Sequence, residues 1–410
     1  MKSKFNHMQP GFADADTIQP VSLVKDEFKQ FFLTAAVPKN QKPGLYSGTI
    51  TVRCDGKNLL SIPVRLRVLP FELPTPRILR DIDRAYLSSC MGKFSWDKFE
   101  KQYGDRELAA KKYRELLLNL KAHNFDYPFV DQDVRSIALL KELGFPTDPW
   151  FGEHFCPWFS RNFGGKLHYY ERQIAKNSAK QCSEFYLKQV GHNNILLQLG
   201  DEQDAAFVVA NRSTMQEYRN YGMSMGFAGH YPLFQKAAYA SGYHPFGGSP
   251  EEAERTRRWN DMGDSYVGFY AGQHTGAENP SLIRRQNGLV SLYCNATMND
   301  NFAFLMAPWN DMDEEVYRPF LVAYQNYGGL VDTLAYEGFR EAADDIRYIS
   351  KLKLLARDAG KSADPAVRIL GRKALQYLAA VDPERDSMDQ VRSEVICYIL
   401  KLINAMNRKG

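Results

Sequence analysis

The chain has 410 residues, of which 44% are hydrophobic and 24% are charged, and its net charge is +4. This length exceeds one ordinary core and predicts two domains, and the composition is that of a soluble globular protein. The small net charge and the lack of a dense basic run exclude a nucleic-acid binder.

The six cysteines and the histidines form no metal-binding pattern. There is no C-x-x-C pair and no histidine cluster with zinc spacing, so we predict neither a metal site nor a cofactor. No apolar stretch has the length of a membrane span. Residues 1–10 lack the apolar centre of a signal peptide. The oligomeric state stays open.

The first 75 residues carry a β pattern. Residues 28–33, 46–54 and 60–68 alternate in the period of a half-buried strand, and Asp55-Gly56 is a hairpin turn signal. We therefore predict a small antiparallel β-sandwich segment over 1–75, which ends in a proline-rich linker.

From residue 76 onward, short apolar runs alternate with amphipathic helical patterns, which is the signature of βα units. The predicted strands are 85–89, 125–130, 149–152, 195–199, 226–231, 242–246, 266–271 and 302–307. The helices between them are 106–123, 134–143, 170–190, 213–221, 250–262 and 282–294. This order predicts an α/β fold, a (β/α)8 TIM barrel over 76–357, followed by a C-terminal helical extension over 358–410.

The candidate chemistry lies at residues 193–204. The apolar run 195–199 suits a buried parallel strand, and it ends at Gly200, before Asp201, Glu202 and Asp204. Acids just past a barrel strand lie where such enzymes hold their catalytic groups. Self-repulsion in a desolvated site favours one protonated and one charged carboxyl, the pairing that glycoside hydrolysis uses. A solvated acidic turn is the alternative interpretation.

Polar and aromatic residues follow the other predicted strands. The candidate sugar contacts are Asp131, Glu153, His154, Tyr231, Tyr270, His274, Trp309 and Asn310. Trp309 offers an aromatic face to the apolar side of a pyranose, and core packing is its alternative role. Asp131 has the alternative role of pairing with Arg135 at a helix start.

Several short motifs together resemble one family. They are the segments 43–52 and 62–74, Arg284-Arg285 with Gly288, the stretch 336–348 (YEGFREAADDIRY) and the Asp201-Glu202 pair. These motifs, spread over most of the chain, resemble the N-acetyl-β-galactosaminidase type of glycoside hydrolase and its uncharacterised bacterial relatives. The resemblance implies a β-sandwich ahead of a barrel, an oligosaccharide or glycoconjugate as partner, and a periplasmic or secreted location.

The resemblance also implies a mechanism. A 2-acetamido sugar, with β-linked N-acetylgalactosamine as the expected one, is hydrolysed with retention, and the substrate's own acetamido oxygen attacks the anomeric carbon. Asp201 then orients and stabilises the acetamido group, and Glu202 protonates the leaving oxygen. The predicted seventh strand is followed by no acid until Glu278. A missing protein nucleophile fits substrate assistance and a catalytically inactive protein equally well.

Three alternatives stay open. An inverting glycosidase would use Glu202 as the acid and a distant carboxylate to activate water. The candidates for that carboxylate are Asp131, Glu153 and Asp311. The second alternative is a catalytically inactive carbohydrate-binding barrel. The third is a lyase on acidic glycans, in which Arg84, Arg135 and His154 would neutralise a uronate and remove a proton.

Overall fold

The computed structural model describes residues 20–91, 95–128, 130, 133–152, 178–201, 205–228, 250–261, 268–269, 279–302, 304, 321–325 and 329–407. The chain divides into two compact units. The smaller contains the described residues up to Pro74, and the larger contains the described residues from Thr75 onward.

The smaller unit contains one antiparallel hairpin, formed by β1 (Gly44–Cys54) and β2 (Lys57–Val68). Asp55 and Gly56 at its tip have φ of 49° and 76°, as a two-residue type I′ turn requires. The predicted hairpin is confirmed, but the β-sandwich prediction is wrong. Among the described residues no further strand pairs with the hairpin, and 28–33 form no strand. That segment has apolar residues at both odd and even positions, so it offers no single face for a core.

The strands of the larger unit are β3 (Leu87–Met91), β4 (Trp150–Gly152), β5 (Ile195–Asp201), β6 (Ser224–Ala228), β7 (Gly268–Phe269), β8 (Met298–Phe302), β9 (Ala323–Gln325) and β10 (Leu330–Asp332). They form a parallel sheet of order β3-β8-β7, a second parallel sheet of order β4-β5-β6, and an antiparallel pair of β9 and β10.

The prediction of a closed (β/α)8 barrel is wrong. Closure needs every strand to be paired on both sides, whereas the parallel strands described here form two separate three-stranded sheets, and β9 and β10 pair only with each other. Residues 125–128 of the predicted strand 125–130 form no strand, residue 129 lies outside the described residues, and Val130 forms a β-bridge. Asn124 before it has a positive φ of 63°, and Pro128 within it has no N–H for a ladder. The predicted strand 242–246 lies outside the described residues.

The helices of the larger unit are α1 (Trp96–Tyr103), α2 (Arg106–Ala122), α3 (Val134–Glu142), α4 (Ser178–Val190), α5 (Ala205–Asn220), α6 (Pro250–Asp261), α7 (Pro280–Arg285), α8 (Leu334–Gly360), α9 (Pro365–Ala380) and α10 (Met388–Asn407). A π-helical turn, Gln286–Val290, and a short helix, Ser291–Tyr293, continue α7. The predictions at 106–123, 134–143 and 250–262 are confirmed by α2, α3 and α6. Asp105 and Thr333 cap α2 and α8 through their side chains. No helix among the described residues is long and apolar enough to cross a bilayer.

Two apolar clusters are present among the described residues of the larger unit. The larger packs helices against strands, with Leu117 of α2, Leu197 of β5 and Phe339 of α8 fully or almost fully buried. The smaller joins the two parallel sheets through Leu87, Phe151, Leu196, Met298 and Tyr127.

The smaller cluster lies near the amino-terminal ends of four parallel strands. Leu87 and Met298 are the first residues of β3 and β8, and Phe151 and Leu196 are the second residues of β4 and β5. The two sheets therefore meet near the starts of these four strands. Each strand runs away from the cluster toward its carboxyl end.

Candidate functional site

The carboxyl end of β5 is the described part of the predicted acid pair. β5 lies between β4 and β6, and its last residue, Asp201, is level with Ala228, the last residue of β6. Gly152, the last residue of β4, is level with Leu197 of β5. The backbone of Asp201 thus lies at the carboxyl edge of a parallel sheet, where open α/β sheets bind their ligands.

The ladder between β5 and β6 is irregular just before Asp201. The register shifts between Gln198 and Gly200. An extra residue of this kind bends a strand, and such bulges are frequent beside active sites. This local feature distinguishes the end of β5 from an ordinary strand-to-helix turn.

Most predicted site residues lie outside the described residues. They are Asp131, Glu153, His154, Glu202, Tyr231, Tyr270, His274, Trp309 and Asn310. In the sequence, Glu153 directly follows β4, Glu202 follows β5 and Tyr270 follows β7. Their roles stay predictions.

A described cluster of charges includes Asp133, which is two residues after Asp131 in the sequence. Asp133 caps α3, and both of its oxygens accept from Arg135 Nε at 3.0 Å. Arg135 also donates to Glu100 and Asp97 of α1, each at 2.9 Å. Trp96 Nε1 donates to Glu100 at 2.9 Å, and the Arg135 guanidinium lies 5.1 Å from the Trp96 ring. The cluster ties the starts of α1 and α3 together.

The charges of this cluster affect two hypotheses drawn from the sequence, namely the structural role of Asp131 and the lyase alternative. The hydrogen bond from Arg135 lowers the pKa of Asp133 below its usual value despite partial burial, so Asp133 fills the structural role considered for Asp131. Arg135 already faces three carboxylates. Its charge is therefore largely compensated, which weakens the lyase alternative, because a lyase needs cations free to neutralise a uronate.

The sequence analysis did not predict two buried polar residues in the β3-β8-β7 sheet. Ser89 of β3 and Asn299 of β8 are 0% and 1% exposed, and the Ser89 backbone N–H donates to Asn299 Oδ1 at 3.3 Å. Ser89 Oγ and Asn299 Nδ2 have no hydrogen-bond partner among the described residues. Such orphan groups require a water, a ligand or another explanation. The two residues are 210 positions apart in the chain, and no local pattern could have linked them.

The described residues contain no group of three or more His, Cys, Asp or Glu side chains that could hold a metal ion.

Comparison with known proteins gives a likeness of fold. No protein-family model matches the sequence, and no curated protein matches it. A family 123 glycoside hydrolase from Clostridium perfringens, an enzyme of glycolipid glycan hydrolysis, superposes with a TM-score of 0.58 at 14% identity, covering 90% of this chain and 78% of that chain. SrfJ from Salmonella typhimurium gives a TM-score of 0.36 at 11% identity, covering 74% of this chain and 84% of that chain, and it carries no argument. The fold thus resembles that of a glycoside hydrolase.

Proposed function

We propose that this protein is a glycoside hydrolase that acts on a glycan carrying a 2-acetamido sugar, with β-linked N-acetylgalactosamine as the favoured substrate. The observation that carries the proposal is the position of Asp201 at the end of the central parallel strand, in a fold like that of the Clostridium enzyme. Glu202 is the next residue in the chain, so the acid pair begins where α/β proteins bind ligands.

The proposed mechanism assigns one role to each acid. The charged carboxylate of Asp201 orients the 2-acetamido group and stabilises the positive charge that develops on it as its oxygen attacks the anomeric carbon. The protonated Glu202 gives its proton to the glycosidic oxygen, so the leaving alcohol departs neutral. Water then attacks the cyclised intermediate from the face that the leaving group vacated, with Glu202 as the base. The product retains the configuration of the substrate.

The remaining predicted contacts would complete a sugar site around this pair. Glu153 and Tyr231 follow the strands on either side of β5, whereas Tyr270 and Trp309 follow strands of the other parallel sheet. An aromatic side chain against the C–H side of the ring and polar groups on the hydroxyls are what pyranose recognition needs.

A panel of aryl β-glycosides that differ only at C2 tests this proposal. The 2-acetamido galactoside should be hydrolysed at least about 100-fold faster than the 2-hydroxy galactoside, because the latter lacks the internal nucleophile. NMR of the first product formed should show the β anomer, and a thiazoline mimic of the cyclised intermediate should inhibit.

Each alternative has its own result in the same experiment. An α anomer as first product, with no thiazoline inhibition, supports the inverting mechanism instead. Saccharide binding without turnover of any glycoside in the panel supports the inactive carbohydrate-binding protein. Comparable rates on the 2-hydroxy and 2-acetamido substrates contradict substrate assistance.

A further inference from the structure

Ser88 and Ser89 are adjacent buried serines that lie on opposite faces of β3. Leu87 belongs to the apolar cluster that joins the two parallel sheets, whereas Cys90 belongs to the cluster that packs helices against strands. Because alternate residues of a strand share a face, Ser89 lies on the side of Leu87, which we call the inter-sheet face of β3. Ser88 lies on the side of Cys90.

Ser89 follows the apolar cluster in the direction of the carboxyl ends of the strands. It is two residues after Leu87 in β3, so it lies about 7 Å further along the strand. Its backbone N–H donates to Asn299 Oδ1 of the neighbouring strand, which helps to fix the backbone at this point. Ser89 is therefore the first residue on the inter-sheet face of β3 beyond the apolar cluster.

The register of β5 gives Asp201 a corresponding position in the other sheet. Leu196, a member of the same apolar cluster, is level with Ser224, and Asp201 is level with Ala228. Ser224 and Ala228 are four residues apart in β6 and so share a face. In a regular strand, a separation of five residues would put Leu196 and Asp201 on opposite faces, and the register shift before Asp201 reverses this. By register, Asp201 therefore has a position on the face of Leu196.

The Ser89 hydroxyl needs a partner that the described residues do not supply. Ser89 is 0% exposed, and its Oγ has no hydrogen-bond partner among the described residues. An unpaired buried hydroxyl is costly, and a group of this kind calls for a water or a ligand. A serine hydroxyl both donates and accepts, so it suits the hydroxyl and amide groups of a sugar.

We propose that Ser89 is a further substrate-binding residue of the glycan site, and that its hydroxyl donates a hydrogen bond to an oxygen atom of the bound 2-acetamido sugar. This role rests on the proposed function, which supplies the sugar as the ligand. The support is the inter-sheet face of Ser89, its position beyond the apolar cluster and its missing partner. A buried contact of this kind is selective, because a ligand without the matching oxygen leaves the hydroxyl unpaired.

Ser89→Ala and Ser88→Ala test the proposal as a matched pair. Ser89→Ala should lower kcat/KM on an aryl β-N-acetylgalactosaminide about 10-fold, and it should weaken binding of the thiazoline mimic by a similar factor in calorimetry. Ser88→Ala removes the same atom from the opposite face of the same strand. It should change both quantities less than about 2-fold, because no sugar contact is lost.

The melting temperature of the ligand-free protein separates a binding role from a structural one. Ser89→Ala should keep or raise this temperature, because the removal of an unpaired buried hydroxyl breaks no hydrogen bond. At a fixed concentration, the thiazoline mimic should raise the melting temperature of Ser89→Ala less than that of the wild type, since weaker binding stabilises less.

Other results overturn the proposal. If the wild type is active and Ser89→Ala matches it in turnover and thiazoline binding, Ser89 is not a substrate contact, and the proposed function stands. A lower melting temperature of ligand-free Ser89→Ala with unchanged thiazoline binding assigns the hydroxyl to the packing of the protein. If the wild type neither hydrolyses an aryl glycoside nor binds the thiazoline mimic, the proposed function fails, and the role of Ser89 fails with it.

Discussion

At the scale of single residues, Asp345 of α8 holds two arginines in the interior of the larger unit. Its side chain is 4% exposed, and it accepts from Arg284 Nε at 2.7 Å and from Arg392 Nε at 2.5 Å. Arg392 also pairs with Glu341 at 2.5 Å. Burial acts to lower the pKa of Arg392, but the charges of Asp345 and Glu341 outweigh it and raise that pKa. Asp345 thus joins α7 and α10 to α8.

Replacing this carboxylate should destabilise the protein strongly. We expect Asp345→Asn to lower the free energy of unfolding by about 3 kcal/mol, because it leaves two largely buried guanidinium groups without their shared counter-charge. Urea denaturation of the wild type and the variant measures the change. The control is Asp389→Asn: Asp389 pairs with the same Arg284, but its side chain is 84% exposed, and its loss should cost less than about 1 kcal/mol. Equal losses in the two variants would contradict this interpretation.

Two features at the scale of single residues could not have been predicted from the sequence, namely which acid pairs with Arg135 and which polar atoms of Ser89 and Asn299 lack a partner. An ion pair with Arg135 at a helix start was the alternative role of Asp131, and the structure has such a pair, formed by Asp133. Both acids precede Arg135 within one turn, so spacing alone could not choose between them. The orphan polar atoms of Ser89 and Asn299 depend on pairing between distant strands, which no local pattern encodes.

At the scale of elements, the backbone of α8 lies in close contact with α7 at Gly338. A Cβ at Gly338 would lie against the Pro280 carbonyl oxygen, 2.9 Å from Pro280 Cα and 3.0 Å from Ile283 Cβ. The backbones of the two helices approach each other at this point because Gly338 has no side chain. Gly338 lies within the motif 336–348, so a contact between helices accounts for part of that motif.

Adding one methyl group at this contact should be costly. Gly338→Ala should lower the free energy of unfolding by about 1–3 kcal/mol, since backbone atoms must move to admit the Cβ. Gly360→Ala is the matched control at the end of the same helix. Nothing lies within 4 Å of its added Cβ, and the variant should be neutral or gain up to about 1 kcal/mol from helix propensity. The prediction fails if Gly338→Ala is as stable as the wild type in thermal and urea unfolding.

Helices were predicted better than strands because a helix satisfies its backbone hydrogen bonds within one segment. The 3.6-residue pattern of α2 and α3 was visible locally and is confirmed. A strand exists only if a distant segment pairs with it. β8 is polar over Asn299–Asn301, and its ladder with β3 begins at Met298, so the apolar run predicted at 302–307 lies largely beyond it.

At the scale of the whole molecule, counting apolar runs predicted eight strands but could not show whether the sheet closes. Closure depends on hydrogen bonds between strand edges, and the described parallel strands form two sheets joined by side-chain packing at Leu87, Phe151 and Leu196. The sandwich prediction failed for a related reason. The alternating pattern in β1 and β2 predicts a face that is suited to burial, but it does not predict which segment packs on that face.

The measurement that tests the central claim most directly is the kcat/KM of acid-pair variants on aryl β-N-acetylgalactosaminides with two leaving groups, nitrophenol and the more acidic dinitrophenol. Asp201→Asn should lose about 100-fold or more on both substrates, because it weakens the attack of the acetamido group. Glu202→Gln should lose about 100-fold or more on the nitrophenyl substrate and much less on the dinitrophenyl one, which departs without a proton. Glu217→Gln, an exposed residue of α5, should keep wild-type activity. Full activity in both Asp201→Asn and Glu202→Gln would contradict the account.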